Sequence, residues 1–109
     1  MATTYKVLGQ SKPNAATATT LYTVPASTQT VVSTLVISNL SIDITNVRVS
    51  VRPAGEAQAD KHYIIYDQSF AGYQLMAFTL GLTLAATDVV TIYDSTGKCS
   101  FNLFGSEIS

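Results

Sequence analysis

The chain has 109 residues, of which 47% are hydrophobic and only 12% are charged; the length favours one domain, and the composition excludes the polar, charge-rich class of disordered proteins. Six Lys and Arg residues against seven Asp and Glu residues give a net charge of −1 without a basic cluster, so nucleic acid is not an expected partner. No apolar segment approaches the roughly 20 residues that a membrane-spanning helix needs, so no membrane is expected either. The single cysteine, Cys99, cannot form an internal disulfide, which fits synthesis in a reducing cytoplasm.

Short strands separated by turn residues account for most of the chain. The β-branched residues Thr, Val and Ile make up 32 of the 109 residues, and these types favour strands. Eight strands are predicted, over residues 5–8, 21–24, 30–40, 47–52, 63–70, 75–80, 89–93 and 99–104. The sixth continues after Gly81 at residues 82–84. The pattern predicts an all-β fold, an antiparallel β-sandwich or jelly roll of about eight short strands, with a closed barrel as the alternative.

The domain organisation follows from the same pattern. Residues 1–20 are predicted to form an N-terminal arm with the first short strand, and residues 21–109 the β-sandwich domain. The arm either reaches across a subunit boundary or frays, as untethered termini do. Residues 56–61 form the one helix-compatible stretch, long enough only for a marginal turn.

Two of the predicted strands carry the clearest information about faces. In 47–52 three valines alternate with two arginines and a serine, which predicts one buried and one solvated face until Pro53 and Gly55 end the strand. In the strand predicted over residues 30–40, the side chains on both faces are largely apolar. Val31, Leu35 and Ile37 are predicted on one face, and Val32, Val36 and Leu40 on the other. One of these faces would pack against the opposite sheet, and the other would contact a neighbouring subunit. The alternative is a central strand of the core, with both faces buried within the chain.

The residues do not form a catalytic or cofactor motif. His62, the only histidine, would have to be the base of a Ser-His-Asp triad, but no Gly-x-Ser-x-Gly elbow accompanies it. The ligand spacings typical of zinc and of calcium sites are also missing. We therefore expect a protein that is not an enzyme and that uses neither a metal nor a cofactor. The turn 94–97 is instead a hairpin signal, with Asp94 as its cap and Gly97 in the left-handed conformation.

Tyrosines are the candidate interface residues. Tyrosine offers a large amphipathic surface and is enriched in protein interfaces and in sugar-binding clefts. The alternation in strand 63–70 predicts Tyr63 and Tyr66 on opposite faces. An alternative is that the tyrosines close the ends of the core and keep their hydroxyls in water. The candidates, all on or beside predicted strands, are Tyr22, Tyr63, Tyr66, Tyr73 and Tyr93.

Several segments resemble small structural proteins of tailed-bacteriophage virions. The segments are residues 22–26, 51–55, 60–64, 80–84, 87–90 and 101–108, so the resemblance covers most of the chain from about residue 21 onward. It lies in strands and turns and assigns no site residues.

The resemblance implies a non-enzymatic viral structural protein, a capsid decoration or cement protein that binds the outer surface of a phage capsid and stabilises it. Its partners would be the major capsid protein or other virion proteins, and it would be a homo-oligomer, with a trimer favoured. It would be made in the host cytoplasm and reside in the virion. The alternatives are a tail, neck or baseplate component, and a carbohydrate-binding module that stacks exposed tyrosines on sugar rings.

Overall fold

The computed structural model describes residues 2–109, which form two four-stranded antiparallel sheets packed face to face. Sheet A has the strand order β1-β8-β3-β6, and sheet B has the order β2-β7-β4-β5. The predicted all-β sandwich of eight strands is therefore confirmed. The strands are β1 (Thr3–Ser11), β2 (Thr19–Thr23), β3 (Gln29–Asn39), β4 (Thr45–Arg52), β5 (Tyr63–Phe70), β6 (Leu75–Leu84), β7 (Val89–Asp94) and β8 (Cys99–Ile108).

The topology is that of a long hairpin rolled up on itself. β1 pairs with β8, β2 with β7, β3 with β6 and β4 with β5, all antiparallel, so the tip of the hairpin lies between β4 and β5. Two further ladders, β3 with β8 and β4 with β7, join these pairs into the two sheets. This order is the jelly-roll arrangement of two interleaved Greek keys, one of the two architectures expected from the sequence.

The core lies between the two sheets and is built from the inward side chains of every second residue. Val47 and Val49 of β4 are buried, as their alternation predicts. Ser50, predicted on the solvated face of β4, is nevertheless buried, because Gln58 of the following loop lies over it and accepts a hydrogen bond of 2.7 Å from its hydroxyl. The largest fully buried apolar side chains are Phe70, Phe101, Leu35, Ile37, Ile92 and Leu103.

The predicted faces of β3 are wrong at one point, and a β-bulge explains the error. Val32 is fully buried on the same side as Leu35 and Ile37, whereas Val31 is 37% exposed. The register of β3 shifts between Val32 and Thr34 relative to both neighbours, and the extra residue reverses the alternation there. β3 has β8 on one side and β6 on the other, so it is a central strand of sheet A.

Most predicted strands begin and end within two residues of the observed ones, but β1 and β8 are four or more residues longer than predicted. β5 has the predicted bounds, while β6 runs through Gly81 as one strand and β8 continues to Ile108. The helix-compatible stretch forms no α-helix; a 3-10 turn at Asp60–His62 overlaps its end, and another at Pro53–Gly55 ends β4. Residues 3–11 form β1, which is hydrogen-bonded to β8 along its length.

Candidate functional site

An aromatic cluster lies on the outer surface of sheet B. The guanidinium carbon of Arg48, on β4, lies 4.5 Å from the ring centre of Tyr66 and 4.4 Å from that of Tyr93. The rings of Tyr63 and Tyr66 meet edge to face with their centres 4.8 Å apart. Arg48 also donates two hydrogen bonds to the Asp67 carboxylate, at 2.5 Å and 3.3 Å. These contacts fix the ring of Tyr66 between its neighbours and leave it 58% exposed.

The cluster forms because β5 is irregular, which corrects the prediction that Tyr63 and Tyr66 lie on opposite faces. The β4–β5 register shifts twice, before and after the pair of Val49 with Ile65. Asp67 has a φ of +50°, in the left-handed region, which re-aims the strand beside it. Simple alternation fails under these conditions, and the two tyrosines come into contact.

An open cleft borders the cluster. It has a volume of ≈ 440 Å³ and is lined by Asp60, Tyr63 and Tyr66. An exposed aromatic ring beside a carboxylate offers a stacking surface and a hydrogen-bond acceptor to a polar ring-shaped ligand. This is the chemistry expected of a sugar subsite.

A second feature, which we term the end patch, lies at one end of the sandwich. It consists of Leu40, Ile42 and Ile44 from the β3–β4 loop together with Tyr73 from the β5–β6 connection and Leu75, the first residue of β6. All five side chains are more than half exposed, and Ile42 is the most exposed of the isoleucines at 74%. Several exposed apolar side chains on neighbouring loops are typical of interaction sites in folded proteins.

The two loops of the end patch are held together by backbone contacts. The Tyr73 amide donates to the Ser41 carbonyl at 2.9 Å, and the buried side chain of Asn39 donates to the Ala71 carbonyl at 2.9 Å. A Cβ atom on Gly72 would lie 2.2 Å from the Ile42 carbonyl oxygen, so only glycine allows this approach. The apolar side chains are therefore displayed on a rigid support.

The sequence interpretation included Tyr73 but missed the isoleucines of the end patch. The available signal was the alternation of Ile42 and Ile44 with Ser41 and Asp43 between two strands. Apolar side chains in a loop lack the opposite sheet as a cover, so this signal points to the surface.

Tyr22, by contrast, is only 8% exposed and packs in the core. Its hydroxyl donates to Glu107 at 2.5 Å and shares a hydrogen bond of 2.7 Å with Thr30. Burial, followed by the hydrogen bond with Glu107, raises the pKa of Tyr22 to about 12. Of the five candidate tyrosines, the structure thus brings three together in the cluster, Tyr66 and Tyr93 against Arg48 and Tyr63 against Tyr66. It places Tyr73 in the end patch and buries Tyr22.

Asp94 forms a buried polar centre beneath the β7–β8 turn. Its carboxylate accepts hydrogen bonds from the Thr45 hydroxyl and from the backbone amides of Cys99, at 2.7 Å, and Thr96, at 3.2 Å. Burial alone would raise the pKa of Asp94, but the hydrogen bonds outweigh it and the pKa is lowered. The adjacent Cys99 is fully buried, and burial together with Asp94 raises the pKa of its thiol to about 12.

His62 is also buried, and both of its ring nitrogens have partners. Nδ1 accepts a hydrogen bond from the Ala59 amide at 3.0 Å, and Nε2 lies 3.3 Å from a carboxylate oxygen of Glu56. Within residues 2–109, no three His, Cys, Asp or Glu side chains come together at a spacing suited to a metal ion. The same residues form no helix that is long and apolar enough to cross a membrane.

Comparisons with models of known protein families and with curated proteins gave no match to this chain.

Proposed function

We propose that this chain is a non-enzymatic structural protein of a phage particle, which binds the outer surface of the capsid and stabilises it. The end patch is the observation that carries the proposal, because its exposed apolar side chains are presented on a rigid loop pair. The resemblance of the strand and turn segments to small virion proteins supplies the identity of the partner. Jelly rolls also occur in viral capsid domains, an analogy of fold that supports the proposal without fixing function.

The binding mechanism is burial of the end patch between capsid subunits. Each square ångström of apolar surface removed from water contributes about 25 cal/mol before the costs of association. One small patch gives weak binding, but repeated copies on a regular lattice reinforce one another when they are linked.

The first experiment measures binding of the purified chain to capsids that lack it, taken from the phage that encodes it. The double variant Ile42→Ser, Tyr73→Ser should bind much more weakly than the wild type, because it removes the two most exposed side chains of the end patch. Tyr5→Ser is the matched control, since Tyr5 is 84% exposed but lies on β1. Equal binding of the double variant and the wild type would refute the assignment of the contact surface.

A second measurement tests the stabilising role and the location. Capsids carrying the chain should rupture at a higher temperature than capsids without it, and equal rupture temperatures would contradict a cementing role. Quantitative mass spectrometry against the major shell protein gives the copy number in the particle. Hundreds of copies support the capsid surface, whereas a few to a few dozen indicate the tail, neck or baseplate.

A carbohydrate-binding role is the second candidate, and the cleft beside Tyr66 favours it. Arg48 and Tyr63 hold the Tyr66 ring, and Asp60 supplies a carboxylate at the cleft. A glycan array should then give binding that Tyr66→Ala abolishes and Tyr5→Ala leaves intact. An array without binding, or binding insensitive to Tyr66→Ala, would eliminate this candidate.

A further inference from the structure

The four edge strands of the two sheets differ in how well they are protected against pairing with another chain. Exposed edges of folded proteins commonly carry charges, bulges or short strands that discourage such pairing. β1 carries Lys6, paired with Glu107 at 3.2 Å, and a register shift between Val7 and Gly9. β2 is only five residues long and is also irregular. β5 has two register shifts and the ion-paired Asp67 at positive φ.

β6 is the exception among the edges. It is ten residues long, and the chain contains no Lys, Arg, Asp or Glu between Asp67 and Asp88. Its one irregularity lies near Gly81 and leaves residues 75–79 in regular register with β3. β6 is therefore a long, uncharged edge with unpaired backbone donors and acceptors along one side.

The core is also incompletely covered along β6. The inward side chains of this strand pack against the core but remain partly exposed. They are Met76, Phe78, Leu80 and Leu82. A further strand alongside β6 would satisfy the backbone groups and would cover these side chains at the same time.

We propose that two copies of this chain associate by antiparallel pairing of β6 with β6 across a two-fold axis. The pairing joins the two A sheets into one continuous sheet of eight strands. A two-fold contact places identical segments opposite each other, so any charge near the axis would face its own copy. β6 meets this requirement because it carries no charge. A partner strand that carried charged side chains would bind less well, because those charges would be desolvated against an edge that has no opposite charge to pair with them.

This inference does not rest on the capsid proposal, because it concerns only the contact between two copies. It does differ from the trimer that the sequence resemblance implies. A two-fold axis gives a dimer of twice 11.6 kDa.

The test is the molar mass of the purified chain in solution, measured by sedimentation across a concentration series. The wild type should shift from monomer to dimer as concentration rises, and Thr79→Lys should weaken the dimer by about tenfold or more, because two like charges then meet at the interface. Thr3→Lys is the matched control: Thr3 is an exposed threonine at the β1 edge, and its substitution should leave the dimer unchanged. Circular dichroism confirms that each variant is folded.

A wild type that remains monomeric, or that forms trimers, overturns the proposal. A folded Thr79→Lys variant that dimerises as well as the wild type overturns it too.

Disulfide trapping gives an independent measurement of the same contact. The residue on the two-fold axis lies opposite its own copy at a distance that a disulfide can span, and Ala77 and Thr79 are the outward-facing candidates for that position near the middle of β6. Ala77→Cys or Thr79→Cys should therefore give a covalent dimer on oxidation, and Thr3→Cys should not. The native Cys99 is fully buried and does not compete. Equal cross-linking from both edges would mean random collision and would contradict the β6 contact.

Discussion

Replacing Asp94 with alanine should remove the polar centre that joins β7 and β8 to β4. The carboxylate is fully buried and accepts hydrogen bonds from the Thr45 hydroxyl and from the amides of Cys99 and Thr96. A hydrogen bond to a charged group contributes about 1.5–3 kcal/mol, and a buried donor left without an acceptor costs a similar amount. Because at least two of these donors are buried, Asp94→Ala should lower the free energy of unfolding by about 3–5 kcal/mol.

Urea unfolding followed by circular dichroism measures this change directly. The midpoint should fall while the slope against urea stays constant, as expected when stability changes without a change in exposed surface. Asp43→Ala is the matched control, because Asp43 is exposed on the β3–β4 loop, and its effect should stay within about 0.5 kcal/mol. A loss below about 1 kcal/mol for Asp94→Ala would refute the role assigned to the buried carboxylate.

The same site sets the response to acid. Because the pKa of Asp94 is lowered in the folded state, its charged form stabilises the fold above the ordinary carboxyl pKa of about 3.9. This stability is lost as the pH falls below about 4 and through the folded-state pKa. Glu107, whose pKa is lowered mainly by the hydrogen bond from Tyr22, contributes with the same sign. Asp94→Asn should therefore lose less stability between pH 5 and pH 2, roughly the acid range in which carboxylates titrate, than the wild type does.

Three further outcomes follow from buried groups. Val49→Asp should place an unpaired charge in the core and prevent folding or cost about 4 kcal/mol or more, and a stably folded variant by circular dichroism would show that the face is misassigned. Since the pKa of Tyr22 is raised to about 12, the contribution of Tyr22 to stability is full below about pH 10 and is lost between about pH 10 and 12. Thermal unfolding of Tyr22→Phe should lack this component, and identical profiles for the variant and the wild type would contradict it. The buried thiol of Cys99 should react with iodoacetamide only when urea unfolds the protein, so rapid labelling of the native protein would be inconsistent with its position.

The sequence predicts the regular parts of this fold because their local signals agree with the tertiary structure. Period-2 alternation identifies the buried side of β4 at Val47 and Val49. The Asp94 turn is also confirmed, with the Thr96 amide bonded to the carboxylate and Gly97 at a φ of +72°. That Asp94 would be fully buried does not follow from its turn, because Thr45 reaches it from a strand distant in sequence.

Bulges account for most of what alternation misses. An extra residue reverses the inward and outward sets, as in β3 at Val32 and in β5 at Asp67, and these positions have no reliable sequence signature. Gly105 is a glycine within a strand, and such a glycine indicates either a close approach of another backbone or a turn. A Cβ there would lie 2.1 Å from the Val31 carbonyl oxygen.

The candidate site was predictable in residue type more than in arrangement. The sequence predicts tyrosines at a surface; Tyr66 and Tyr93 do lie against Arg48, and Tyr63 packs against Tyr66. Tyr22 carries the same chemical signal but packs inside, because Thr30 and Glu107 satisfy its hydroxyl. Which tyrosine is exposed depends on the pairing of strands, and that pairing is not local in sequence.

The position of β8 within sheet A has a consequence for the kinetics of folding. β8 is the eighth strand in chain order, yet it lies between β1 and β3, and it pairs Thr3 with Ile108. Contacts between residues so far apart in sequence give a high contact order, which places folding in the range of milliseconds to seconds. β1 has no partner in its sheet until β8 arrives, so any collapsed intermediate formed earlier leaves the edge of β3 open. Chains in that state are prone to pair with one another before they finish folding.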